Sequence, residues 1–463
     1  MREPADTKAS EHPREGTHVY FVSQSRRTTR HFRTIGTALE HWHRDRPDDA
    51  IIQIDDSGAY VEPIDIRMRP GQRLEVRAAD GARPVIRLLD WYTNRPDSLG
   101  VRGPEALRRR RRGRKAEPDD GKPRGGAGEE ADDSDDGSPS AGDYALQTGE
   151  TEDDTPEGYA PEPGRAAQAQ YAQGPANEPR AEDGNDDEDD EDPAGRRAPR
   201  VRLDGLMVVG RGLSVGGYLG ELRLRDCTLV PGWSLDTDNY PESETEPSIE
   251  LTDTEVRLRV ERSIVGSILV NESEVAVDPV EIKLTDSILD ATRPDLEALY
   301  APDNRHAHAT LCAVRSTVFG VVRAHAVSLA ENTIFSGVVR VARTQVGCVR
   351  FCYVTPGSRT PRRYNCQPDL ALSAVAGRDE RAEAERARAE MRVRPHFNSV
   401  RYGTPAYCQL AETCPAEIRR GADDESEMGV YHDLFQPQRE ANLRARLDEF
   451  TPAGVDAGVI FAT

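Results

Sequence analysis

Residues 315–327 read "RSTVFGVVRAHAV" and residues 331–354 read "ENTIFSGVVRVARTQVGCVRFCYV". In both, a Ser/Thr step leads into two apolar residues, then a glycine within two positions, then Val-Val-Arg. Working outward, a short step of the form polar, any residue, Ser or Thr, aliphatic recurs at Asp226-Cys227-Thr228-Leu229, Glu261-Arg262-Ser263-Ile264, Thr285-Asp286-Ser287-Ile288, Arg315-Ser316-Thr317-Val318 and Glu331-Asn332-Thr333-Ile334. Between these steps lie short runs of period-2 alternation such as "GELRLRDCTLV", "VEIKLTDSIL" and "SLAENTIFSGVVRV", which is the pattern of β-strands. The recurrence is uneven, and the echo aligns Thr317 with Thr333.

Uneven spacing of a constant step suits a parallel β-helix, in which each coil is a few short strands and any corner can swell without disturbing the stack. Stacking in parallel places like residues in line, so aliphatic residues form interior ladders and Ser or Asn side chains bond along the axis. An antiparallel sandwich or barrel is the alternative. It needs tight Asn-Gly or Asp-Gly hairpins, which are scarce after residue 200.

Upstream, residues 17–102 open with the strand "HVYFV" and then "FRTIGTALEHWHRDRP", where Ile35, Leu39 and Trp42 recur at helical spacing before Pro47. Alternating runs follow, with Ile52, Ile54, Ile64, Ile66, Leu74, Val76 and Val85 as inward candidates. Residues 103–200 then break the pattern, with 14 Lys+Arg against 27 Asp+Glu and hardly an apolar cluster. Such a stretch buries too little apolar surface to offset the entropy of ordering and is expected to be disordered. It carries most of the chain's net charge of −21. Its basic run Arg108–Arg112 sits in the same segment as "DGNDDEDDED", so it reads as a polyampholyte spacer and nucleic acid is not an expected partner.

The order "FRTIGTALEHW", "DDAIIQIDDSGAYVEPIDI", "LEVRAADGARPVI" resembles the entry to right-handed parallel β-helix proteins of the pectate-lyase-like class. In that class an N-terminal helix caps the open end of the coil. The resemblance covers residues 17–102 and 201–354, and it implies that 103–200 is an acidic loop inserted in one β-helix. The expected fold is therefore mainly β: a right-handed parallel β-helix with an N-terminal capping helix, a long disordered insertion, and a small α+β module over residues 355–463. Residues 1–16 are expected to be disordered. Within the last module, "DERAEAERARAEMR" reads as a polar helix, Pro437 opens a helix with Leu443, Leu447 and Phe450 on one face, and "AGVIFAT" reads as a strand. The module's stretches "GCVRFCYVTPGSRTPRRYNCQPD", "RYGTPAYCQL" and "EMGVYHDLFQPQREANLRARLDEF" are similar to the C-terminal part of β-helix proteins encoded with bacterial contractile injection systems, the phage-tail-like particles.

Chemistry-bearing motifs are scarce. Asp286 and Asp290, two pleats apart on one face, with Asp253 or Glu261 as candidates on a neighbouring coil, are an arrangement that could flank a sugar; the Gly-His-Gly of polygalacturonase-like enzymes is absent. Cys348 and Cys352 read as one face of a strand filling the interior, and Cys366, Cys408 and Cys414 lack the paired spacing of a zinc site. His41, His43, His306 and His308 read as surface, and "VGRGLSVGG" as a corner. No nucleophile elbow, P-loop or His-Glu-x-x-His occurs. No catalytic, cofactor or metal residue is therefore assigned. With no apolar leader, no apolar run of membrane length and seven cysteines, an odd count, the chain is expected to fold in the cytoplasm.

These readings converge on a non-enzymatic structural or accessory protein of a phage-tail-like particle. The expected partners are protein components of that particle, and the alternative is a glycan bound or cleaved along the coil. Tyr402, Tyr407, Tyr431 and Phe435 are the candidate partner contacts, because aromatic side chains are favoured interface anchors.

Overall fold

The computed structural model describes residues 16–26, 30–90, 95–104, 197–272, 278–452, 454, 455 and 458. The expectations for residues 1–15, for nearly all of the insertion and for most of the terminal strand lie outside the described residues.

Alternation of apolar and polar residues produces short strands that assemble into a 19-stranded and a 9-stranded sheet, and every strand pairing within both is parallel. The antiparallel sandwich is thereby set aside. The chain visits three ladders in turn: Glu221–Arg225, then Thr228–Leu229, then Ile249–Thr252, and again Arg257–Glu261, Ile264–Gly266, Ile268–Asn271. Each strand pairs with its counterpart one circuit later, as Leu222 does with Leu258, Thr228 with Ile264 and Ile249 with Ile268. Long parallel sheets of this kind are consistent with a β-helix. Along the first ladder the inward positions form a column of stacked aliphatic residues from Ile52 through Val76, Leu203, Leu224, Val260 and Leu284 to Ala313, all of them buried. Each large member contributes about 1.5–3 kcal/mol by leaving water.

The corners explain the recurring step. Asp226, Arg262, Asp286, Arg315 and Asn332 all hold φ between 45° and 51°, a left-handed conformation that turns the chain from the first ladder into the second. The residue after each corner points inward and bonds along the axis. Cys227 N–H donates to Ser263 Oγ (3.0 Å), Ser263 N–H to Ser287 Oγ (3.1 Å), Ser287 N–H to Ser316 Oγ (3.3 Å) and Ser316 N–H to Thr333 Oγ1 (3.4 Å), while Thr333 N–H reaches Cys352 Sγ at 3.4 Å. Small polar side chains are therefore required at buried positions where the corner leaves N–H groups without a sheet partner.

Three register expectations are corrected. Ser316, not Thr317, stacks on Thr333, and Thr317 pairs with Ile334. The interval between the stacked residues is still short because Val321–Glu331 is one uninterrupted strand serving two ladders, with no corner between. Cys348 and Cys352 do not share a strand: Cys348–Arg350 ends at the left-handed Phe351, after which Cys352 is buried and Cys348 is half-buried. Val85 is half-buried and Ile86 is the inward residue of Val85–Arg87. In addition, His308, read as surface, lies half-buried within the strand Ala307–Val314, edge-on to His325.

Helix α1 (Ile35–Asp45) forms where the spacing predicts it. The Thr34 hydroxyl accepts from Thr37 N–H, and the Glu62 carboxylate takes the N–H groups of Ile35 and Gly36 at 2.9 and 2.7 Å, which satisfies the donors at the positive end of the helix. Its Ile35, Ala38, Leu39 and Trp42 are buried, and it packs against His18–Val22 and Asp49–Ile54. Past the sheets come α2 (Asp369–Ser373), α3 (Glu380–Arg392), α4 (Ala416–Arg419) and α5 (Gln436–Phe450). No helix among the described residues is long and apolar enough to cross a membrane.

Candidate functional site

On the 9-stranded sheet, Ile288, Phe319, Ile334 and Tyr353 point away from the main core yet are buried. The segment from Val393 to Tyr431 covers them. Val393, Leu410, Ile418 and Met428 pack with Ile334 and Tyr353; Tyr407 and Cys408 pack with Ile288 and Phe319. Backbone bonds fix the seam, with Val430 N–H donating to Thr317 Oγ1 and Gly429 N–H to the Asn332 carbonyl. Gly429 has φ of 97°, and a Cβ there would meet Thr317 Oγ1 at 2.7 Å, so no larger residue fits this approach.

The candidate contacts fall into two groups. Tyr407 is buried, stands edge-on to Tyr402, and donates its hydroxyl to Asp290 Oδ2 at 2.6 Å. Tyr431 is half-buried and donates to the Tyr407 carbonyl at 2.9 Å. Phe435 is 43 % exposed, beside exposed Leu434. Three of the four tyrosine and phenylalanine side chains thus meet in or beside the seam, and Phe435 faces outward at the entry to α5. On α5, Leu443 and Phe450 are exposed on the face they share with half-buried Leu447.

The carboxylates singled out for sugar chemistry do not share a face. Asp286 sits on a left-handed corner and receives both Nε and an Nη of Arg315, at 2.6 and 2.9 Å. Asp290 lies beyond the corner in Ile288–Asp290, buried, accepting from Tyr407 and from Thr292 N–H at 2.7 Å. Burial raises its pKa to about 6, because the charged form loses hydration. Glu261 is held by Arg223 through two bonds of 2.9 Å, and Asp226 by Arg262 at 2.8 and 3.0 Å. These pairs connect one circuit of the chain to the next.

The cysteines are free, and burial raises the thiol pKa of Cys227 and Cys352, as expected for packed rather than reactive thiols. His41 lies against Phe32, and His43 Nε2 accepts from Arg67 N–H at 3.4 Å. Among the described residues one group of side chains offers three convergent ligand atoms: Asp423, Asp424 and His432. Sequence reading passed over it, because the two acids lie in "GADDESE" and the histidine eight residues on, a spacing shared with ordinary solvated loops.

The geometry defines a mainly β protein of long parallel sheets with a C-terminal segment clamped to one of them. Compared with known protein families the sequence matches none, and no curated protein matches it.

Proposed function

We propose that the chain is a right-handed parallel β-helix acting as a non-enzymatic structural or accessory protein that docks on or displays other proteins. A strand, crossover and parallel strand in one sheet is right-handed in about 98 % of cases, which supports the handedness. The observation that carries the function is the engagement of three carboxylates at the corners: Asp226, Glu261 and Asp286 are each gripped by an arginine from another circuit. Carboxylates held by arginine are poor general acids or bases, whereas axial ion pairs stiffen a scaffold. Exposed Phe435, Leu443 and Phe450 supply an apolar face for attachment.

The resemblance of the C-terminal stretches names the partners to look for: sheath, tube or baseplate proteins of a phage-tail-like contractile particle, met in the cytoplasm during assembly. Affinity capture of the full chain from its own cells, followed by mass spectrometry and a parallel glycan-cleavage assay, tests this. Recovery of particle proteins without glycan cleavage is the expected result. Glycan turnover with no particle protein recovered sinks it.

A further inference from the structure

We propose that Asp423, Asp424 and His432 form a site for a divalent first-row metal ion, zinc being the reference, which staples the C-terminal segment to the Asn332 corner of the sheets. His432 is buried, 6 % exposed, and opens the short turn His432–Leu434. Its Nδ1 lies 3.1 Å from Asp433 Oδ1, and since a carboxylate oxygen can only accept, Nδ1 carries the proton. Nε2 faces Asp424 Oδ1 at 3.2 Å and Asp423 Oδ1 at 3.9 Å, acceptors that hold either a second ring proton or a cation in its place. A histidine backed by a carboxylate on one nitrogen, with carboxylate oxygens converging on the other, is an arrangement that a metal-bound imidazole shares.

The remaining contacts orient the acids. Asn332, buried on its corner, donates Nδ2–H to Asp423 Oδ1 at 2.6 Å and accepts Asp423 N–H on Oδ1 at 3.2 Å; its Nδ2 is also 3.4 Å from His432 Nε2. Asp424 Oδ1 accepts Ser426 N–H at 2.9 Å. Ligands about 2.1 Å from one tetrahedral zinc stand roughly 3.4 Å apart, close to the separations found here. Both acids are partly exposed, at 45 % and 39 % of the side chain, so water can complete the shell. A mixed nitrogen and oxygen set favours a first-row ion over calcium or magnesium, which prefer oxygen alone.

The charges around His432 suit a cation, whether a second ring proton or a divalent ion. Asp286, Asp423, Asp424 and Asp433 surround His432 and Arg315, and the nearby Arg350 is taken by Glu331. An imidazolium leaves the group with two excess negative charges. A divalent ion on a neutral imidazole leaves one and binds both carboxylates that the ring faces.

The test uses the full chain stripped with a chelator, titrated with Zn²⁺ by calorimetry and with Co²⁺ by visible absorption. One equivalent should bind, the cobalt spectrum should lack a thiolate charge-transfer band, and amides of 422–433 should exchange more slowly with zinc. The D423N/D424N double variant should bind at least tenfold more weakly, and Asp433→Asn, a positioning residue, about 10–100-fold more weakly. Should His432→Ala fail to fold, the double variant decides, since its two positions are partly exposed. No stoichiometric zinc uptake, unchanged affinity in D423N/D424N, or a thiolate band would each overturn the proposal.

Discussion

Ser287 shows how one side chain holds two circuits together. Its Oγ accepts from Ser263 N–H and reaches the Thr285 carbonyl at 2.7 Å, while its own N–H is taken by Ser316 Oγ. Replacing Ser287 with Ala leaves the buried Ser263 N–H unpaired and should cost about 1–3 kcal/mol, read as a lower urea midpoint. Cysteine occupies the same row at Cys227 and Cys352, so Ser287→Cys should cost clearly less than Ser287→Ala; equal losses would mean the hydrogen bond matters little. Asp290 gives a second residue-scale expectation. Its folded pKa, about 6, lies above its ordinary value of 3.8, so the folded chain holds this proton more tightly than the unfolded one. Its stabilising contribution is complete below about pH 4 and lost as pH rises through 6, a change on the order of 3 kcal/mol. The Asp290→Asn variant should lack that slope in denaturation midpoints between pH 4 and 6, and an identical slope would show that another group titrates. The burial of Asp290 was hidden in the sequence because its cover, Tyr407, comes from 117 residues away.

Among the elements, the corners and α5 invite different substitutions. Arg262 holds φ of 45° and pairs with Asp226. Both Arg262→Gly and Arg262→Val lose the ion pair, but only valine adds a left-handed β-branched residue, costing about 1–2 kcal/mol more. Thermal melts of the two variants measure that difference, and valine matching glycine would contradict the corner geometry. For α5, the double change L443D/F450D alters two exposed side chains and should leave the melting temperature within a degree or two while abolishing capture of partners; retained capture would place the attachment elsewhere. Local patterns made α1 and α5 legible, since Trp42 and Leu443 recur with helical period. The strands were legible too, but the register was not. Asp226-Cys227-Thr228 and Arg315-Ser316-Thr317 each offer two small side chains in a row, and only the left-handed residue before them shows which one turns inward.

For the whole molecule, strands on the two sides of the insertion pair with one another in parallel. Arg73 pairs with Arg200, and Leu99 with Leu213, so strands before residue 104 and after residue 197 belong to the same ladders. The break in composition at 103–200 marked the insertion, although Ala198 is already buried and Arg200 already in strand. Its ends meet on one corner. Tyr218 N–H donates to the Pro104 carbonyl at 2.8 Å and Gly220 N–H to the Pro199 carbonyl at 2.9 Å, so the two ends lie against residues only two positions apart, roughly 7 Å. The equivalent corner one circuit later joins Leu213–Gly216 to Glu221–Arg225 with residues 217–220 alone. The fold therefore needs only a few residues where the chain carries the insertion. Replacing residues 105–196 with Gly-Gly should leave a cooperative unfolding transition with equal or slightly greater stability, because closing a long loop costs entropy that grows only slowly with its length. Circular dichroism melts and amide exchange of Arg73–Ala78 and Leu213–Gly216 check this. Loss of protection in those strands would mean that the insertion, and not the corner, holds the ladders in register.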